Sequence, residues 1–148
     1  MSFASGSDED ITVDKTSLTF TPENWNAAQE VTVSAAEDDD AINGAATIEH
    51  AASGGGYGDV TVSSVTATEL DNDTPGVTVT PTTLTVPEGG SATYTVALDT
   101  EPSAGVTISL SFASGSDEDI TVDKTSLTFT TENWNAAQEV TVSAAVDN

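Results

Sequence analysis

An all-β antiparallel sandwich is the fold this sequence predicts, and three observations carry it. Short runs rich in Val, Thr and Ile alternate apolar and polar residues, as in QEVTVSAA at 138–145, the signature of a half-buried strand. Glycine, proline and Asp/Asn clusters separate these runs, and no stretch has helical periodicity. Residues 2–36 return at 111–145 with one change, Pro22 to Thr131. The offset of 109 residues is one sandwich domain, longer than a solenoid unit.

One period holds seven strands. The first is expected at 77–86, broken by Pro81, which suits an edge because proline donates nothing to a ladder. PEGG (87–90) turns the chain into the second strand, SATYTVALD (91–99). After TEPSAG the third runs over 106–114. The fourth covers 120–129 in one copy and 11–20 in the other, kinked at Asp123 and Asp14. The turn at TPENWNAA (21–28) leads to the fifth strand, 29–36 and 138–145. The sixth, 45–52, precedes the glycine turn SGGGYGD, and the seventh spans 60–70. Seven short strands in about a hundred residues fit an immunoglobulin-like antiparallel β-sandwich, two facing sheets burying the alternating Val, Ile, Leu and Phe.

DNDTPG (71–76) is the best boundary: polar, and closed by Pro75. Residues 1–73 then carry the third to seventh strands of one repeat, and 74–148 the first to fifth of the next. Neither part is a full sandwich, and half-sandwiches expose edges and core faces. Two arrangements resolve this. The first two strands fold back onto 2–70, giving a permuted domain, or strands are exchanged between chains.

There are 25 acidic residues against Lys15 and Lys124, a net charge of −23. Nucleic acid and anionic lipid both need a basic face and are excluded as partners. No segment is long enough to insert in a membrane. A salt-adapted, solvated surface accounts for scattered acids. It accounts less well for clusters in loops. If successive strands alternate in direction, PEGG with Glu88, SDED (7–10 and 116–119), EDDD (37–40) and DND (71–73) converge on one pole. So many carboxylates cannot all stay ionised together without a counter-charge, and two lysines cannot supply it. The cheap alternative is raised pKa values, and the better one is a hard cation, Ca2+, with six to eight oxygen ligands. Zinc is disfavoured by the absence of Cys and the single His. The spacing matches no EF-hand loop.

VPEGGSATYTV (86–96), ASGSDEDITV (113–122), SLTFTTENWNAAQEVTVSAAVD (126–147), EDDDAINGAATIEH (37–50) and VTATELDND (65–73) together resemble the Calx-beta domain, the calcium-binding sandwich of sodium–calcium exchangers and integrin β4. They are closest to the Calx-beta-like tandem repeats of very large bacterial surface and adhesin proteins. The likeness covers essentially the whole chain in permuted order. It implies calcium ligands at Glu88, at Asp8 or Asp10 and their copies Asp117 or Asp119, at Asp38, Asp39 and Asp40 with Asp147, and at Asp71 and Asp73. The SDED loop lacks the family's usual Asp-Tyr pair, and AING follows Asp40 where an acidic continuation is usual. Those departures imply fewer or weaker sites.

Trp25 and Trp134 lie in the turn before the fifth strand, and Tyr57 in the glycine turn, both at the opposite pole. They either contact a glycan or protein or simply cover the open end of the core, and the second reading is preferred. His50 stands beside Glu49 with no nucleophile elbow or Cys–His pair in the chain, so no enzyme is expected. The expectation is a non-catalytic, calcium-binding repeat that stiffens a large bacterial cell-surface or secreted adhesin. Its partners would be neighbouring repeats and further copies by strand exchange. It would work outside the cell, with any export signal beyond this sequence. An adhesive module working through the aromatics, and an acidic spacer without a metal site, are the alternatives.

Overall fold

The structure, a computed structural model, describes residues 1–146. Among them there is no helix, and all strand ladders are antiparallel apart from one isolated parallel bridge. The chain divides into two compact units. One is Met1–Asp38 with Ile42–Asp71; the other is Asp39–Ala41 with the residues from Asn72 onward.

The first unit holds β1 (Ser2–Phe3), β2 (Ile11–Val13), β3 (Val33–Ala35), β4 (Ala45–Glu49) and β5 (Val65–Thr68). They form a three-stranded sheet in the order β1–β4–β5 and a separate β2–β3 pair. Alternation along β4 buries Ala46 and Ile48, and β2 buries Ile11.

The second unit holds β6 (Val77–Thr80), β7 (Ser91–Leu98), β8 (Val106–Ser109), β9 (Ile120–Val122), β10 (Ser126–Phe129) and β11 (Gln138–Ala144). One sheet has the order β6–β7–β11–β9 and the other pairs β8 with β10. β6 is an edge strand that ends at Thr80, immediately before Pro81, as proline's missing N–H requires. The repeat's fourth strand serves both sheets, first as β9 on β11 and then as β10 on β8. The switch occurs at Asp123. Its N–H donates to Thr141 O (3.0 Å) while its Oδ1 accepts from Thr141 N (2.8 Å), so the side chain replaces one rung of the ladder. Lys124 Nζ then donates to Asp123 Oδ2 (3.0 Å) and to Glu139 O.

Between these sheets Val96, Leu127, Phe129 and Val140 form the core, with Tyr94, Leu98 and Val106 against it. Leu127, Phe129 and Val140 are fully buried, each contributing about 1.5–3 kcal/mol.

The strands are shorter than the sequence predicts wherever a partner ends. The stretch 60–70 is strand only over Val65–Thr68, because β4, its one neighbour, pairs only from Ala45 to Ile48. The third strand stops at Ser109, opposite Ser126 where β10 begins, and not at 114. Residues 17–20 are not a strand, although the same SLTF sequence is β10 in the second unit. β8, which pairs with β10, has no counterpart beside 17–20. The first two strands do not fold back onto 2–70: β7 pairs with β11.

Candidate metal centre

Three backbone connections build an acidic pole in the first unit. Ile11 pairs with Ala35, and Ala36 N donates to Asp10 O (3.1 Å), which fixes the SDED loop beside the end of β3. Asp8 N donates to Ala45 O (2.9 Å), and Ser7 Oγ accepts from Thr47 N (3.1 Å), tying that loop to β4. Glu69 N donates to Gly44 O (2.9 Å), and Asp71 N to Asn43 Oδ1 (2.8 Å), bringing in the end of β5. Gly6, at φ +81°, makes the turn that aims the loop; Gly115 does the same at +83° in the copy, a conformation glycine adopts without steric cost.

The side chains converge accordingly. The Asp8 and Glu69 carboxylates meet over the bare Cα of Gly44. A Cβ there would clash with Asp8 Oδ2 and lie 2.8 Å from Glu69 Oε2. Asp8 Oδ1 also accepts from Asp10 N (2.9 Å), closing the loop on itself. Asp38 and Asp71 each bring a carboxylate oxygen within 4.8 Å of the other. Glu69 Oε2 is buried without a hydrogen-bond partner among the described residues. Its carboxyl is held above the usual range, first by that burial and then by the negative fields of Asp38, Asp8, Asp10 and Asp71. The unit's lysine does not relieve this, since Lys15 Nζ is committed to Asp14 Oδ2 (2.8 Å) and Glu30 O (2.7 Å).

Glu69 was not legible as a site residue, because it reads as the tail of a strand. The available signal was parity: Ala67 and Glu69 share the more buried face of the 65–70 run, directly before the DND segment. Of the acids expected from sequence, Asp8, Asp10, Asp38 and Asp71 are brought together here. Asp39 and Asp40 group with the second unit, where Asp39 O accepts from Glu101 N (2.7 Å) and Asp40 bridges Glu101.

Glu88 also belongs to the second unit. Its turn is held against β11 by Gly89 N to Ala144 O (3.0 Å) and Ala144 N to Gly90 O (3.1 Å). Ala145 N donates to Asp119 O (2.9 Å), so the loop with Asp117 and Asp119 flanks the same end of β11. Asp73 precedes Gly76, whose carbonyl accepts from Asp99 N (3.0 Å) at the other end of β7. Asp147 lies outside the described residues.

The pole offers oxygen donors only. That set suits a hard cation of high coordination number, and the buried, unpartnered Glu69 oxygen is the kind of group such an ion would satisfy.

At the aromatic turns the two copies differ. Trp25 is 71% exposed, whereas Trp134, in the same turn of the second unit, is half-buried. Tyr57 is exposed beside its glycine turn. His50 Nδ1 lies 2.9 Å from Ser63 O.

No protein-family model, curated protein or solved structure matches the chain.

Proposed function

We propose that this chain is a non-catalytic, calcium-binding structural repeat, of the Calx-beta-like kind, from a large extracellular bacterial surface or secreted adhesin. The observation that supports it most is Glu69: a buried carboxylate oxygen without a hydrogen-bond partner among the described residues, in the negative field of four further acids. Asp8, Asp10, Asp38, Glu69 and Asp71 would hold the ion. Bound calcium would supply the missing positive charge and cross-link three loops that are far apart in sequence. Tying those loops stiffens the unit, which is the property a spacer between cell and adhesive tip requires. In the second unit, Glu88 with Asp117 or Asp119 would contribute to the equivalent pole.

The test is thermal unfolding in excess EDTA, then in calcium, with magnesium and plain salt as controls. A ligand at about 100 times its dissociation constant adds ~2.7 kcal/mol to the state that binds it, a rise in Tm of several degrees. A rise specific to calcium is the expected result. An equal response to sodium chloride would leave an acidic, salt-adapted spacer without a metal site. A second reading, adhesion through Trp25 and Tyr57, draws on their exposure. It is weaker, because Trp134 half-buries where its unit has a core to cover. Loss of glycan or protein binding in Trp25→Ala, with calcium stabilisation unchanged, would favour it.

A further inference from the structure

Asparagine is a labile residue, and most so before glycine, a pairing that occurs once in this chain, at Asn43–Gly44. Its self-modification needs the next residue's backbone nitrogen to reach the asparagine side-chain carbonyl carbon. Glycine has no Cβ to obstruct that approach, and closing a ring within one chain gives the attack a high effective concentration. The other described asparagines precede larger residues: Asn24 and Asn133 precede Trp, Asn26 and Asn135 precede Ala, and Asn72 precedes Asp73.

The fold places this pair at the tie between the start of β4 and the end of β5. Asn43 is exposed to water, while Gly44 is buried. Asn43 Oδ1 accepts from Asp71 N (2.8 Å), and Gly44 O accepts from Glu69 N (2.9 Å). β4 begins at the next residue, Ala45, and its Ala46 is buried, so no slack follows the pair. The Asp71 N–H is aimed at the oxygen on which negative charge develops when the side-chain carbonyl is attacked, the placement that stabilises an oxyanion. The Asp8 and Glu69 carboxylates close over the Gly44 Cα. A Cβ there would clash with Asp8 Oδ2 and lie 2.8 Å from Glu69 Oε2. The pair that can react therefore has no room to change shape.

We propose that Asn43–Gly44 is a self-modification site: it deamidates spontaneously through a succinimide, and the isoaspartyl product unties the acidic pole. Gly44 N attacks Asn43 Cγ and forms the N–Cγ bond of a five-membered ring. The bond from Cγ to the side-chain nitrogen breaks, and that nitrogen leaves as ammonia with the proton that Gly44 N gives up. Water then opens the ring at either carbonyl. Breaking the N–Cγ bond returns an ordinary aspartate. Breaking the bond from Gly44 N to the main-chain carbonyl carbon routes the backbone through Cβ and Cγ, one atom longer than before. The balance is water in and ammonia out, with no other reactant. Both products add a carboxylate beside Asp71, and only the second displaces Gly44. A backbone lengthened at this packed glycine cannot keep both the bond from Asp71 N and the bond from Glu69 N. The tie is lost in one direction only, since the released ammonia does not return.

No cation enters the reaction, so the full chain is aged in warm, mildly alkaline buffer with EDTA. Each conversion adds one negative charge, and converted chains separate by anion exchange. Peptide mapping by mass places the conversion, and labelling by isoaspartyl methyltransferase tells isoaspartate from aspartate. Asn43 should convert at least about tenfold faster than Asn26 or Asn135, with isoaspartate among the products. In the isoaspartyl fraction the first unit's urea midpoint should fall by about 0.5 M, what one lost hydrogen bond amounts to at the usual denaturant slope. The second unit's midpoint should not move. Trp25 reads the first unit in a Trp134→Phe background, and Trp134 reads the second in a Trp25→Phe background. Asn43→Gln, whose longer side chain does not close this ring, should keep its midpoint through the same ageing. Asn43→Asp supplies the charge without the extra backbone atom and should lose less than the isoaspartyl fraction. Asn43 converting no faster than Asn26 and Asn135, aspartate as the sole product, or an isoaspartyl fraction as stable as the unconverted chain overturns the proposal. So does an equal loss in Asn43→Asp, which would leave charge alone as the cause.

Discussion

Phe129→Ala and Phe20→Ala make the same chemical change in local sequences that differ only at Pro22 and Thr131, so their difference reports chiefly what covering the strand contributes. A phenylalanine buries about 200 Å² when fully enclosed. Its burial contributes about 1.5–3 kcal/mol, and the sealed cavity left behind brings the cost of truncating the enclosed Phe129 to ~3–5 kcal/mol. Phe20 is 52% exposed. It keeps about half that area, a ceiling of ~1.5 kcal/mol, and its loss leaves a dent open to water where Phe129 would leave a sealed cavity. The two variants should differ by at least ~1.5 kcal/mol. Urea unfolding in dilute solution measures this, because each unit carries one tryptophan. A Trp25→Phe background reports the second unit through Trp134, and a Trp134→Phe background reports the first through Trp25. With a slope of about 2 kcal/mol/M, Phe129→Ala should lower the second unit's midpoint by ~2 M. Phe20→Ala should lower the first unit's by half that or less. Equal shifts, or a larger one from Phe20→Ala, would refute the view that β7 and β8 bury this residue.

Two further predictions concern charge. The Glu69 carboxyl is raised in the folded unit by burial and by Asp38, Asp8, Asp10 and Asp71. The folded state therefore favours its proton, and that contribution is complete below the unfolded value and lost as pH rises through the folded one. Without calcium, Glu69→Gln should raise the first unit's Tm at neutral pH, have little effect near pH 4, and remove the calcium response; a lower Tm at neutral pH in EDTA would contradict the strain assigned to this site. Asp123 is held low by its hydrogen bond from Thr141 N and by Lys124, and Asp14 by Lys15 and Thr32 N. Each favours folding above the ordinary carboxylate value, and the benefit fades as pH falls below about 4. Asp123→Asn should flatten the acid arm of the second unit's Tm–pH curve, and Asp14→Asn that of the first; an unchanged acid arm would argue against the switch-point bonds.

The acidic pole was half legible. That the SDED loop, the start of the EDDD loop and the end of the 60–70 strand would meet follows from alternating strand directions, and Asp8, Asp10, Asp38 and Asp71 do meet. Glu69 was missed because sequence treats acids in loops as candidates and acids in strands as surface. What makes it a candidate is the depth of one oxygen beside Gly44, and depth is not a property of a residue's neighbours in sequence. Glu88 was expected in the same set, yet it belongs with the strands of the following repeat and so sits in the other unit.

The repeated segment separates the two kinds of information. Many local contacts are reproduced in both copies. Asp14 and Asp123 make the same bonds to Thr32 and Thr141. Asn24 and Asn133 cap the same turn from Thr21 and Thr130. Gln29 and Gln138 reach back 2.7 Å to Thr19 and Thr128 carbonyls, and Asp8 and Asp117 close the same loop. These span at most 18 residues and depend on side chains within the segment, so sequence alone determines them. Strand length, burial and the fate of Phe20 and Phe129 differ between the copies. A strand's second edge and its apolar face are completed by residues distant in the chain, and segments alike but for one residue diverge once one of them has β7 and β8 beside it and the other does not.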